Sequence, residues 1–196
     1  MIKRCFDIIF SIIGLALLSP ILLVIGLIIR LDSKGPVIYK QDRVGKRGAD
    51  FKIFKFRTMR LNADKQGLLT VGDRDPRITK FGYFLRKYKL DEFPQLFNVL
   101  MGSMSFVGPR PEVRKYVNYY TKSDQEILQL KPGITDYASI HFRNEAELLK
   151  SASDSEKTYL NEIMPEKIRL NKIYLREHSI IIDFKIIFKT LLSIIS

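Results

Sequence analysis

Asp91 and Glu92 are adjacent carboxylates in a chain that is otherwise strongly basic. Around them run Leu85-Arg86-Lys87-Tyr88-Lys89-Leu90 on one side and Phe93-Pro94-Gln95-Leu96 on the other, and Gly108-Pro109-Arg110-Pro111 follows closely. Nearby positive charge lowers a carboxyl pKa, so such a dyad is expected to stay ionised. An ionised carboxylate can attack phosphorus or hold a divalent metal, while guanidinium groups bind phosphate oxygens. Two acids near Arg86 and Arg110 therefore point to phosphoryl chemistry on an anionic substrate. The alternative, for the dyad taken alone, is a surface pair making ordinary ion pairs.

The bulk composition narrows the setting. A net charge of +12 over 196 residues and a sequence pI near 9.7 call for an anionic partner: nucleic acid, anionic lipid or a phosphorylated substrate. No zinc-finger spacing, aromatic RNA-binding signature or basic recognition helix is present, so nucleic acid is not expected. The single cysteine, Cys5, excludes an intrachain disulfide and fits a reducing compartment as a buried free thiol, although lipidation there is an alternative. Two histidines and no Cys/His cluster make a zinc site unexpected.

Several elements must position these residues. From Ile8 to Ile29 the chain is apolar apart from Ser11, Ser19-Pro20 and the glycines, with Lys3 and Arg4 before it and Arg30 and Lys34 after. That is long enough for a bilayer core of about 30 Å. Pro20 lacks an amide hydrogen and its ring crowds the Ala16 carbonyl, and the Ser19 hydroxyl can partly satisfy the freed groups. Cations at both ends favour placing both ends on the cytoplasmic side. A helical hairpin broken at Ser19 and Pro20 and confined to one leaflet is expected, with a single-pass kinked helix as the alternative. Asp7 should take a cationic partner at the interface.

Residues 30–60 carry ten Lys and Arg against three Asp, a net +7 beside the membrane segment. Within them Val37–Gln41 and Phe51–Phe56 read as strands joined by the turn-like Gly45-Lys46-Arg47-Gly48, a β-hairpin. Residues 61–80 read as loop, followed by a helix from about Lys80 to Tyr88 and another carrying Asp91 through Leu100. Pro111 is expected to start a helix through Tyr120. Lys131-Pro132-Gly133-Ile134 should turn into an extended segment ending near Arg143-Asn144. Polar helices are expected over Glu145–Ser151 and Ser155–Tyr174. The apolar tail Ile180–Ile195 reads equally as an interfacial or a core helix.

The order of these blocks resembles the monotopic phosphoglycosyl transferases, bacterial sugar transferases that begin glycan assembly on a polyprenyl carrier. The resemblance runs nearly end to end. It rests on Lys3-Arg4 with Phe6-Asp7, Ser19-Pro20, Gly35-Pro36, Gln41-Asp42-Arg43-Val44-Gly45 and Lys55-Phe56-Arg57-Thr58-Met59. It continues through Asp75-Pro76-Arg77-Ile78-Thr79, Leu90-Asp91-Glu92-Phe93-Pro94-Gln95-Leu96-Phe97-Asn98-Val99, Met104-Ser105-Phe106-Val107-Gly108-Pro109-Arg110-Pro111 and Lys131-Pro132-Gly133-Ile134-Thr135. The chain looks like a minimal catalytic unit of that family.

What the resemblance implies is transfer of sugar-1-phosphate from a UDP-sugar to undecaprenyl phosphate at the bacterial inner membrane, giving undecaprenyl-diphospho-sugar and UMP. The active site would face the cytoplasm, and later glycosyltransferases would be further partners. It also implies Mg2+ dependence, with Asp91 and Glu92 as catalytic and metal-binding residues and Asp91 forming a phosphosugar-aspartyl intermediate. Whether Glu92 binds metal or orients Asp91 stays open. Candidate phosphate- and substrate-binding residues are Arg110, Arg86, Arg57, Lys55, Arg143 and Asn144. Two departures stand out: Ser103 where many members carry an acid, and the altered segment Asp136–Phe142 before Arg143-Asn144.

The expected fold is α+β: a re-entrant membrane helix-break-helix over residues 1–31, then a cytosolic catalytic domain over 32–196. That domain would hold a small β-hairpin and a helical body with interfacial amphipathic helices. The sequence leaves a homodimer open. A basic, membrane-tethered nucleic-acid or lipid-binding module without catalysis is the competing reading, supported by charge alone.

Overall fold

The computed structural model describes residues 2–63, 67, 69–72 and 75–195, with the side chains of 194 and 195 left out. Part of the expected loop 61–80 (residues 64–66, 68, 73 and 74) therefore lies outside the described residues. The first element is one helix, α1 (Ile2–Asp32), the only one among the described residues long and apolar enough to cross a membrane. At 1.5 Å per residue its 31 residues have a contour length of about 46 Å.

Pro20 lies inside α1 without ending it, so the expected division into two helices is not seen. The reason is local. Proline cannot donate to the Ala16 carbonyl four residues back, and the Ser19 hydroxyl donates to that same oxygen at 2.9 Å.

The buried residues of α1 are Asp7, Ser11, Ile25 and Ile29. Its first half thus turns polar side chains inward while Ile9, Phe10, Ile12 and Leu17 are exposed. That inverts the pattern of a water-facing amphipathic helix. Cys5 falls on the outer face and is exposed, not buried as expected, because Lys3, Arg4 and Asp7 take the inward positions.

Both ends of α1 dock on the same body. Near its start, Arg4 donates to the Val99 and Leu100 carbonyls at 2.6 and 2.8 Å, and Lys3 donates to Val107 O at 3.0 Å and pairs with Asp183. Asp7 does not take the expected cation; it accepts from the Ser105 hydroxyl and the Phe106 amide. Those donors belong to a strand edge whose polar groups need partners once buried. Near its end, Ile25 and Ile29 pack on Phe56 and Leu85.

Strands β1 (Ile38–Val44) and β2 (Asp50–Phe56) form the expected antiparallel hairpin, with Lys40 opposite Phe54. Its outer edge is closed by a side chain. Asn98 accepts from Phe54 N and donates to Lys52 O, the two bonds a neighbouring strand would make. Helix α2 (Lys80–Lys87) follows, capped by Thr79, whose hydroxyl accepts from Gly82 N at 2.9 Å.

The helix expected to carry Asp91 through Leu100 is divided. A 3-10 turn covers Leu90–Glu92, and α3 (Gln95–Met101) begins only after Pro94. Strands β3 (Ser105–Val107) and β4 (Gly133–Thr135) pair in parallel.

Three further elements differ from expectation. Residues 111–113 are not helical, with Val113 extended, and only the short α4 (Arg114–Val117) follows, because the Glu112 carbonyl accepts from Val44 N instead of starting a helix. The segment after Pro132 is extended for three residues and then turns helical at α5 (Tyr137–His141), capped by Asp136. Helices α6 (Glu145–Ser151), α7 (Ser155–Thr158) and α8 (Met164–Glu177) follow, with a π-helical turn at Tyr159–Ile163 running into α8. The tail forms α9 (Ile180–Ile195). Ile186 of α9 packs with Val107 and Tyr174, while Ile181, Phe184, Phe188, Leu191 and Leu192 are exposed. Phe184 meets Phe6 of α1 edge to face at 5.2 Å, which joins the two exposed apolar faces.

Candidate active site

The dyad sits where α2 ends and α3 has not begun. Lys89 takes a left-handed conformation (φ 56°) that stops α2 and redirects the chain into the 3-10 turn. Consecutive residues in such a turn point about 120° apart, so the two carboxylates separate. Their environments differ accordingly.

Glu92 is locked. Arg110 Nη1 donates to its Oε2 at 3.1 Å and Nη2 bonds its Oε1, which also accepts from Lys55 Nζ at 3.1 Å. Burial alone would raise this carboxyl, but Arg110 and Lys55 outweigh burial and hold it well below the ordinary glutamate value. Reciprocally, Glu92 raises the Arg110 pKa further, while burial lowers that of Lys55 against the opposing pull of Glu92.

Asp91 is the opposite case. It is 7% exposed, and no described residue hydrogen-bonds its carboxylate. Burial raises its pKa, and Lys55, Arg86 and Lys89 only partly offset that while Glu92 adds to it. The expectation that cations lower both carboxyls therefore holds for Glu92 and fails for Asp91, because desolvation exceeds the charge effect there. A carboxylate left without hydrogen bonds is the better nucleophile of the two.

The cations come from three directions. Lys55 projects from β2, directly before Phe56, which packs under α1. Arg86 lies in the last turn of α2, half-buried and bonded by its side chain to none of the described residues. Arg110 is delivered by a tight backbone crossing. Gly108 N donates to Thr135 O and Gly133 N to Pro109 O, and a Cβ on Gly133 would lie 2.1 Å from Gly108 N. Only glycine allows that approach, which explains why the Gly108-Pro109-Arg110-Pro111 and Pro132-Gly133-Ile134-Thr135 blocks belong together.

The structure thus brings together Asp91, Glu92, Lys55, Arg86 and Arg110. It gives Arg57 different work: Nη1 bonds Lys34 O, and Nη2 donates to Ser33 O at 2.7 Å and Ile29 O at 3.3 Å, closing the carbonyl end of α1. Arg143 and Asn144 are exposed at the junction of α5 and α6, and His141 is exposed with its ring against Phe142. Ser103 bonds Asn98 in the network on the outer edge of β2. Sequence reasoning missed the supports of Arg110, namely Arg43, whose Nη1 donates to Pro111 O at 3.0 Å, and Asp136. The Gln41-Asp42-Arg43-Val44-Gly45 block carried a signal for the first.

A magnesium ion can be accommodated by this donor set. Mg2+ needs only one or two protein carboxylates when substrate phosphates complete its shell. Asp91 accepts no hydrogen bond from the described residues, and the Glu92 carboxylate accepts three, so Asp91 is the better-placed ligand.

The family model described as "Bacterial sugar transferase" matches residues 1–196. The chain is 36% identical over 198 residues to an Aeromonas hydrophila protein named UDP-N-acetylgalactosamine-undecaprenyl-phosphate N-acetylgalactosaminephosphotransferase, covering 100% of this chain and 44% of that one. It is 42% identical over 192 residues to a Klebsiella pneumoniae UDP-glucose:undecaprenyl-phosphate glucose-1-phosphate transferase, covering 96% and 39%. It is 38% identical over 203 residues to the exopolysaccharide production protein PSS of Rhizobium leguminosarum bv. phaseoli, covering 98% and 94%. Against the first two, the chain spans about two-fifths of the relative's length. The chain belongs to the bacterial sugar transferase family.

Proposed function

We propose that this protein transfers a sugar-1-phosphate from a UDP-sugar to undecaprenyl phosphate, on the cytoplasmic face of the bacterial inner membrane, as the first membrane step of a glycan pathway. The observation that carries the reading is the unequal dyad: Glu92 fixed by Arg110 and Lys55, and Asp91 buried beside it with an open carboxylate. An Asp91 oxygen attacks the β-phosphorus of the donor. The bond to the bridging oxygen breaks, UMP leaves with that electron pair, and a phosphosugar-aspartyl enzyme remains. A phosphate oxygen of the lipid then attacks the same phosphorus and releases the Asp91 carboxylate. Arg110, Lys55 and Arg86 offset charge on the phosphoryl oxygens. A magnesium ion held by Asp91 and the remaining lone pair of Glu92 would supply further charge neutralisation at the diphosphate.

A membrane-borne acceptor requires the site to lie at headgroup level. We place α1 in a single leaflet, bent at Pro20 so that both of its ends lie on one side, with α9 lying in the interface next to it. Two observations support this. The two ends of α1 hold the same body, through Lys3 and Arg4 at one end and Ile29 at the other. The outward faces of α1 and α9 are apolar and adjoin at Phe6 and Phe184.

The chemical test uses UDP-sugar labelled in the β-phosphate and no acceptor. Label should stay on the wild-type protein and be absent from Asp91→Asn, with UMP exchange in the wild type. Full transfer by Asp91→Asn removes the nucleophile assignment in favour of direct transfer in a ternary complex. For the membrane arrangement, a cysteine placed at position 2 should react only with cytoplasmic reagent; reaction only from the periplasm rules out the single-leaflet placement.

A further inference from the structure

Pro109-Arg110-Pro111 contains one amide hydrogen, because neither proline has one. The structure gives that hydrogen to a side chain: Arg110 N donates to Asp136 Oδ2 at 3.0 Å. The other Asp136 oxygen accepts from Ser139 N at 2.6 Å and caps α5. Asp136 is 0% exposed. The carbonyls flanking Arg110 are also held, Pro109 O by Gly133 N and Pro111 O by Arg43. The arginine side chain itself is 38% exposed, and a long side chain so open to solvent depends on its backbone for placement.

A buried carboxylate carries a desolvation cost that a serine or threonine cap would avoid. Serine caps helices about as well as aspartate. What aspartate adds is a second oxygen, and here that oxygen reaches Arg110. Its charge, with those of Glu92 and Asp91, also favours the charged form of Arg110.

Building on the phosphosugar-transfer reading, we propose that Asp136 is a positioning residue for that reaction: it fixes the backbone of Arg110 so that the guanidinium lies over Glu92 and the donor diphosphate, and it acts through Arg110 alone.

Asp136→Ser separates the two jobs of this side chain, since serine keeps the cap on Ser139 N and lacks the oxygen that holds Arg110. We expect the Asp136→Ser protein to melt within a few degrees of wild type, with kcat for UMP release reduced roughly ten- to hundredfold and KM for the UDP-sugar changed much less. In an Arg110→Ala background the same substitution should cost nothing further. Wild-type kcat in Asp136→Ser, or an equal loss in both backgrounds, overturns the inference. If Asp136→Ser does not fold, Asp136→Asn takes its place under the same criteria, and failure of both to fold assigns Asp136 to the fold alone and ends the proposal. A wild-type protein that releases no UMP from any UDP-sugar removes the transfer reading itself, and this inference with it; an active wild type with an indifferent position 136 removes the inference only.

Discussion

Arg110 holds Glu92 by both carboxylate oxygens, Nη1 to Oε2 at 3.1 Å and Nη2 to Oε1, while neighbouring Asp91 accepts no hydrogen bond from any described residue. The adjacent acids therefore carry opposite energetic signs. One helps hold β2, the 3-10 turn and the Pro109–Pro111 segment together, through Lys55 and Arg110. The other is kept in an environment that opposes its charge.

Glu92→Gln should destabilise the protein at neutral pH by about 2–3 kcal/mol, because Lys55 and Arg110 lose the charge that offsets their burial. The figure stays below that of a fully buried pair since Arg110 is partly solvated. The Glu92 pKa in the fold lies well below its ordinary value of 4.5. Its contribution is thus complete above about pH 4.5 and disappears as pH falls through the depressed folded value. Thermal melts of both proteins in detergent, from neutral to acid pH, should show the gap narrowing only on the acid side.

Asp91→Asn should do the reverse. Burial raises the Asp91 pKa above 3.8, so the folded state binds the proton more tightly than the unfolded state does. Wild-type stability then falls as pH rises from 3.8 to the folded value and levels off beyond it. Removing the charge should stabilise the protein by about 1 kcal/mol at neutral pH while abolishing turnover, a trade common at functional sites. The advantage should vanish below pH 3.8. A destabilised Asp91→Asn protein at neutral pH would contradict the electrostatic picture of the site.

The hairpin, α2, α6 and the apolar tail were legible from periodicity and turn residues, because each is a local pattern. That the dyad and Arg110 could share a site was legible from their types and spacing, and the structure brings them together. The division of labour between Asp91 and Glu92 was not, since it depends on a 3-10 turn that points neighbouring side chains apart and on the different burial of each. The contacts of Arg57 were hidden for a similar reason. A guanidinium in a cationic segment looks like a phosphate ligand until the end of α1 supplies three carbonyls. Asp7 was assigned a cation by charge matching, whereas the structure offers it the hydroxyl and amide of β3. In each case the deciding partner is distant in sequence.

Arg57→Lys tests that reassignment. One ammonium cannot reach Ile29 O, Ser33 O and Lys34 O in the planar geometry of a guanidinium. The expected result is a loss of about 2 kcal/mol in stability with KM for the UDP-sugar within about twofold of wild type. A large rise in KM at unchanged stability would return Arg57 to the substrate site.

Gly133→Ala tests the crossing that delivers Arg110. The added methyl would meet backbone on both sides, 2.1 Å from Gly108 N and 2.5 Å from Gly108 O, and no side chain can rotate away to relieve it. The cost should be about 3 kcal/mol or more, and the surviving folded fraction should lose activity because Pro109 and Arg110 move with Gly108. Wild-type turnover in Gly133→Ala would mean that the crossing does not set the position of Arg110.

The Ser19 hydroxyl gives a last test, in the apolar segment itself. It donates to Ala16 O, the acceptor that Pro20 leaves without its usual helical donor. In hydrocarbon a lone carbonyl has no water to turn to. Ser19→Ala should therefore destabilise the protein by about 1 kcal/mol. The same substitution in a Pro20→Ala background should cost nothing, because the alanine amide then serves Ala16. Melting temperatures of the four proteins in a lipid nanodisc measure this coupling directly. Equal losses in both backgrounds would show that Ser19 acts elsewhere, and that continuity of α1 across Pro20 does not depend on it.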